Sequence, residues 1–258
     1  MKPDFVKTRN YMRFLGAMSD LEMRGSAECR LIIVDGPPGL GKTTILSLWA
    51  DDEDCTYLRA KTDWDPYWML GEMLTSMGIM NPPRGHQQRF NACLAALAER
   101  SRDAAVVQRQ FVVVVDEADH VSTKGKLVDT IRDLTDISGV PFILVGMGKI
   151  RDNLTRYPQT ASRISRYVRF EPATVEEVTE FLAAKCEVPV AGDLAAFVHR
   201  ATGGFNREIL EAIKSIERFG LRNPPASTDG LSLREMAGQH LTNDRKSGRP
   251  IHVPGVTK

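Results

Sequence analysis

Lys42 and Thr43 close the run Gly36-Pro37-Pro38-Gly39-Leu40-Gly41-Lys42-Thr43, and no other short stretch of the chain combines residue types so suited to binding a phosphate. Glycines at 36, 39 and 41 can take backbone angles closed to residues with a Cβ, so successive N–H groups can point into one concavity. The run sits in the setting this pattern needs. Leu31-Ile32-Ile33-Val34 before it reads as a buried strand, and Thr44 with Ile45-Leu46-Ser47-Leu48-Trp49-Ala50 after it reads as a helix. The helix N-terminus adds its positive end to the anion site. On this reading the loop, including Pro37, Pro38, Leu40 and Thr44, cradles a nucleoside triphosphate such as ATP. Lys42 reaches the β- and γ-phosphates, and the Thr43 hydroxyl holds Mg²⁺. A chance glycine turn is the competing account, and the strand–turn–helix context argues against it.

The second chemical signal is Asp116-Glu117, delivered by the apolar run Phe111-Val112-Val113-Val114-Val115. An aspartate at a strand end suits the Mg²⁺ shell, and the next carboxylate suits activation of an attacking water. The pair therefore points to a hydrolysing ATPase, ATP plus water to ADP plus phosphate. The alternative is two acids favoured by a helix N-terminus.

These residues need a scaffold, and the apolar pattern supplies one. Strands are expected at 31–34, 55–60, 111–115, 142–145 and 167–170, with helices between them at about 67–77, 86–102 and 123–138. The third strand is apolar without alternation, as in a parallel sheet covered on both faces. From Glu171 onward the period becomes helical and no further strand is expected. Thr174-Val175-Glu176-Glu177 has capping-box spacing, and Ile209, Ile213 and Ile216 mark a helix entered through Thr202-Gly203-Gly204. A last helix is expected near Leu231–Leu241. The expected organisation is an N-terminal helical arm (1–29), an α/β core (30–171), an all-helical lid (172–241) and a basic flexible tail (242–258) too poor in apolar surface to order itself.

Composition narrows the class. The chain has 258 residues, 42% apolar and 26% charged, with a net charge of +1, so a polyanion must be met by a local basic patch. No run approaches the roughly 18 apolar residues of a membrane helix, and Met1-Lys2-Pro3-Asp4-Phe5 lacks the apolar core of a secretory signal. Cys29, Cys55, Cys93 and Cys186 are scattered without C-x-x-C spacing, as expected of reduced thiols in a cytoplasmic protein. Arg24 belongs to a basic N-terminal stretch with Lys2, Lys7, Arg9 and Arg13, and Lys258 belongs to the basic tail with Arg245, Lys246 and Arg249.

The phosphate loop, the Asp-Glu pair, a following strand, an arginine-rich segment and a helical lid, in this order, resemble the AAA+ ATPases. The fold this implies is an ASCE P-loop parallel sheet flanked by helices, with a small helical lid after it. Asp116-Glu117-Ala118-Asp119-His120, Gly139-Val140-Pro141-Phe142-Ile143-Leu144-Val145-Gly146 and Tyr157-Pro158-Gln159-Thr160-Ala161-Ser162-Arg163-Ile164 resemble the subgroup that serves DNA transposition, which includes the B proteins of Mu-like phages (MuB), TnsC and TniB. The resemblance implies that Arg163 is an arginine finger inserted into a neighbour's site, although Arg156, Arg166 and Arg169 lie close in sequence. It implies that Arg207 senses the γ-phosphate from the lid; an i,i+4 partner for Glu211 is the other account. It implies a head-to-tail homo-oligomer, a filament rather than a closed ring, on double-stranded DNA, with Lys61, Lys124 and Lys126 as phosphate contacts; solvated lysines are the other account. A transposase would be the protein partner, in the cytoplasm of a bacterial host if the gene is carried by a phage or transposon. One position departs from the family pattern: the fourth strand is followed by Met147 where the family carries Asn, Thr or Ser. Two other functions fit the same motifs, a helicase-loader or initiator-type ATPase with a protein client, and a nucleotide-gated scaffold with negligible turnover.

Overall fold

The computed structural model describes residues 1–2, 5–23 and 30–255. Arg24, Cys29 and Lys258, named above, lie outside the described residues. Two compact units are present. A sheet unit holds residues 13–38 and 42–170, and a helical unit holds residues 1–12, 39–41 and 171–258.

In the sheet unit, β1 (Leu31–Asp35), β2 (Thr56–Arg59), β3 (Val113–Asp116), β4 (Phe142–Val145) and β5 (Ile164–Arg169) form one sheet in the order β2-β3-β4-β1-β5. Every pairing is parallel. All strand ends that carry the predicted chemistry therefore open on one edge, the carboxyl edge where such sheets bind ligands. β1, β3 and β4 are buried along nearly their whole length, which is what an apolar run without alternation requires. Leu31, Ile33, Val113, Val115, Phe142 and Leu144 belong to a core that includes Trp64, Met69, Met73, Leu97 and Ile131. These last five come from the loop before α3 (Pro66–Ser76), from α3 itself, from α4 (His86–Val106) and from α6 (Gly125–Ser138).

Local signals explain the helix ends. Asp65 caps α3 by accepting from the Trp68 N–H at 2.7 Å, with Pro66 at the first helical position. Gly139 ends α6 in the left-handed conformation, φ 68°. α1 (Arg9–Met23) buries Phe14, Met18 and Leu21, and Phe14 meets Trp49 of α2 (Lys42–Asp52) edge to face at 4.9 Å. The expected helix at 123–138 is α6, and a short α5 (Asp119–Ser122) that the periodicity does not announce precedes it. Two further short helices, α7 (Ile150–Leu154) and α8 (Pro158–Ala161), lead into β5, which begins at Ile164, three residues earlier than expected.

In the helical unit, α9 (Val175–Lys185) starts on the capping box read from the sequence, with Thr174 and Glu177 each bonding the other's backbone N–H. α10 (Gly192–Thr202) and α11 (Asn206–Gly220) follow. Gly203 and Gly204 between them have φ of 59° and 76°, and a Cβ on Gly204 would lie 2.2 Å from the Ala173 carbonyl oxygen. The structure corrects the reading of the last thirty residues. No helix spans 231–241, and the segment is not strand-free. β6 (His240–Asn243) and β7 (Pro250–His252) form an antiparallel hairpin. Leu241 and Val253 are almost fully buried in one core with Val198, Ile209, Ile213, Ile216 and Met236. The segment expected as a tail thus carries the second half of β6 and all of β7, and Val253 is buried in that core against the helix faces.

Candidate nucleotide site

The loop between β1 and α2 has the backbone that its glycines allow. Gly36, Gly39 and Gly41 have φ of 154°, 90° and 80°. A Cβ on Gly36 would come within 2.7 Å of the Phe170 carbonyl oxygen, so at this position both conformation and space require glycine. Lys42 is 7% exposed, and its ammonium donates to the carbonyls of Gly36 at 2.8 Å and Pro37 at 2.9 Å. The lysine is thereby folded back over the loop between Pro37, Pro38 and its own helix. Leu40 is buried, and Thr44 is exposed on the first turn.

Thr43 and Asp116 come together as expected. The Thr43 hydroxyl donates to Asp116 Oδ2 at 2.6 Å. Asp116 is 4% exposed and receives two further bonds, from the Tyr57 hydroxyl to the same oxygen at 2.6 Å and from the Glu117 N–H to Oδ1 at 2.8 Å. A hard cation such as Mg²⁺ takes one or two protein oxygens and fills its shell with water and substrate phosphate. The adjacent Thr43 hydroxyl and Asp116 carboxylate fit that donor set. Burial first, and then the bond to Asp116, hold the Tyr57 phenol above its usual pKa, so it stays a donor at physiological pH.

Glu117 sits at φ 55°, a left-handed conformation rare outside glycine and one that concentrates at functional sites. Its carboxylate pairs with the Arg59 guanidinium. The register explains the pair: in the β2–β3 ladder Arg59 stands opposite Asp116, one residue before Glu117. Tyr57 and Arg59 were not singled out from the sequence. The signal was a tyrosine and an arginine at alternate positions near the carboxyl end of a strand, legible only once that strand is known to neighbour β3.

Met147 follows β4, and its side chain is 52% exposed. Its N–H donates to Asp119 Oδ2 at 2.7 Å, and the next N–H, of Gly148, donates to Asp35. Asp35 also accepts from the Gly36 N–H at 2.8 Å, so one carboxylate ties the end of β1 to the loop after β4. Burial outweighs these bonds and raises its carboxyl above the usual range. A cleft of about 430 Å³ opens here, bordered by Asp35, Gly36, Pro37, Met147, Arg151 and Tyr167.

The remaining expected residues are placed as follows. Arg163, just before β5, donates through Nε to both oxygens of Asp136 on α6 at 3.0 and 3.1 Å. Its neighbour Arg166 pairs with Asp20. Arg207 lies in the helical unit, where its N–H donates to the Gly39 carbonyl at 3.1 Å and its side chain is exposed. Glu211, suggested as its partner, accepts instead from the Thr242 hydroxyl at 3.2 Å. Lys61 pairs with Glu72 and lies 5.1 Å from the centre of the Trp68 ring. Lys124 donates to the carbonyls of Thr62 at 2.6 Å and Trp64 at 2.8 Å, stitching the loop after β2 to the start of α6. Lys126 is exposed. No helix among the described residues is long and apolar enough to cross a membrane.

Comparison with known proteins agrees with the fold. A family profile described as an AAA domain matches residues 25–154, half of the chain. No curated protein matches in sequence. Among solved structures, the chain is similar to the Aeropyrum pernix ORC2 protein in ADPNP–ADP complexes (TM-score 0.62, 16% identity, covering 90% of this chain and 67% of that one). It is also similar to the Aeropyrum pernix ORC1 protein in complex with DNA (TM-score 0.56, 16% identity, 86% and 63% covered). A Walker-type ATPase of Pyrococcus abyssi gives a TM-score of 0.60 at 14% identity, with 86% and 69% covered. The chain thus spans about two thirds of the length of these structures, and the likeness is one of fold.

Proposed function

This chain belongs to the AAA-domain family, and from that premise we propose that it is an ATP-hydrolysing protein that assembles head to tail on duplex DNA and recruits or activates a transposase. Hydrolysis then releases it. The observation that carries the ATPase reading is the constellation at the carboxyl edge of the sheet: Lys42 on the glycine loop, Thr43 bonded to buried Asp116, and Glu117 held beside them in a strained backbone.

In the proposed cycle the triphosphate competes for the Lys42 ammonium, which leaves the Gly36 and Pro37 carbonyls to meet the β- and γ-oxygens. Thr43 and Asp116 would hold Mg²⁺, which supplies charge neutralisation between those oxygens. Glu117 accepts a proton from water as the water oxygen bonds to the γ-phosphorus and the bond to the ADP oxygen breaks. Before it can do so it must leave Arg59. Arg163 of an adjacent copy supplies a cation to the transferring group, and Arg207 supplies a second. An intersubunit arginine makes every interface heterologous, so the product is a ring if the rotation closes and a filament if it does not. Lys61 and Lys126 are the proposed phosphate contacts. Lys124 is a weaker choice for this role, since its ammonium already serves two carbonyls.

A second reading, an initiator-type or helicase-loading ATPase, is supported by the likeness to ORC proteins, one of them solved with DNA. Electron microscopy with a non-hydrolysable ATP analogue, with and without duplex DNA, separates the two. Continuous DNA-dependent filaments are expected, absent for Lys42→Ala. Discrete closed rings, or monomers indifferent to DNA, would overturn the filament reading.

A further inference from the structure

A second group of cations, used nowhere in the nucleotide chemistry, lies wholly inside the helical unit. Ser215, Arg218 and Arg222 are spaced three and four residues apart along one face of the end of α11 and the turn after it. Gln239, just before β6, and His240, its first residue, line one cleft with them, together with Phe219 and Asn223. Its volume is about 320 Å³. No carboxylate is among its lining residues, although α11 carries acids at 208, 211 and 217. Those acids are engaged elsewhere. Glu208 is buried near Arg245, Glu211 accepts from Thr242, and Glu217 is buried, accepting the Glu187 N–H and pairing with the N-terminal ammonium. His252 stands directly across the hairpin from His240, ring centres 5.7 Å apart, adding a second imidazole at the same end.

We propose that this cleft, formed by the end of α11 and the start of the hairpin, binds the phosphate backbone of duplex DNA, with Arg218 and Arg222 as the anchoring cations. The chemistry suits a phosphate-bearing ligand. Two guanidinium forks match phosphate oxygens, while Ser215, Gln239 and Asn223 bring neutral hydrogen-bonding groups to the same wall. The helix C-terminus contributes about half a negative charge, and two full positive charges outweigh it. Arg218, Arg222 and His240 are all exposed, and an exposed ion pair contributes little by itself. A lone phosphate would therefore be held weakly. A polymer of phosphates gains by neutralising several such cations together and by repeating the contact on every copy of an assembly.

This inference rests on the reading of the protein as a DNA-bound ATPase, and the test separates the two. Fluorescence anisotropy of a short labelled duplex would be followed against salt for the full chain with an ATP analogue, comparing the parent with Arg218→Ala/Arg222→Ala and with Arg218→Lys/Arg222→Lys. Loss of two phosphate contacts should flatten the log–log salt dependence by about 1.8 and weaken binding about tenfold at moderate salt. The lysine pair should restore the salt slope but only part of the affinity, and thermal melts of both variants check that they fold. If the parent binds duplex and the alanine pair matches it in affinity and slope, the inference falls while the broader reading stands. Should the parent not bind duplex at all, both fall. Calorimetric titration with inorganic phosphate covers the other source of the anion: tight saturation without duplex binding would replace the proposal with a free-phosphate site.

Discussion

Glu117 combines a left-handed backbone, an ion pair with Arg59 and an N–H given to the preceding Asp116. The strain aims the carboxylate and the ion pair restrains it. Replacing Glu117 by Gln should leave nucleotide binding intact and lower turnover about 10²–10⁴-fold, the usual worth of a positioned general base. Arg59→Ala should act oppositely, raising basal turnover by about fivefold at most, the scale of breaking one exposed pair. Steady-state phosphate release on both variants checks this, and an unchanged rate in Glu117→Gln would remove Glu117 from the chemistry. Asp35 offers a test at the same scale. Burial raises its carboxyl above the ordinary value of 3.8, so folding favours the protonated form. Its ionisation therefore costs stability increasingly as pH rises through the folded value. Asp35→Asn keeps an acceptor oxygen for Gly36 and Gly148 but carries no charge. It should melt above the parent near neutral pH and lose that advantage below about pH 4.

At the scale of elements, the register of β2 on β3 and the packing of β6–β7 on α11 decide most of what the linear sequence leaves open. β2 is four residues long and reads as an ordinary half-buried strand, yet its pairing puts Tyr57 and Arg59 beside the Asp-Glu pair. The hairpin is equally short, and a proline begins its second strand. Its order comes from Leu241 and Val253 entering the core of the helical unit. Leu241→Ala should accordingly cost about 2–5 kcal/mol in denaturant unfolding, as for a core leucine; a loss near zero would return the segment to the status of a loose tail.

For the whole molecule, the central question is whether a neighbouring copy completes the nucleotide site. Arg163 pairs with Asp136 within its own chain and with geometry that exchange for a phosphate could displace. Arg163→Ala should lower turnover about 10³-fold or more, as for other fingers, without weakening nucleotide binding. Mixing it with Lys42→Ala subunits should restore part of the rate, since the second protein still offers Arg163 to the intact site of the first. An equal mixture no more active than the average of its components would argue for a site complete within one chain.

The elements that carry the proposed nucleotide chemistry were legible in the sequence because they depend on local order: glycines at fixed spacing, a lysine and threonine opening a helix, and two acids closing an apolar strand. The parallel sheet was legible for the same kind of reason, in apolar runs without alternation separated by helical periods. Pairing between distant segments leaves no such local trace. Only the tertiary structure brought Tyr57 to Asp116, Arg59 to Glu117 and Lys124 to the carbonyls of Thr62 and Trp64. It also turned residues 240–252 into a hairpin, since burial of Leu241 and Val253 is worth nothing until α11 presents a face to bury them against.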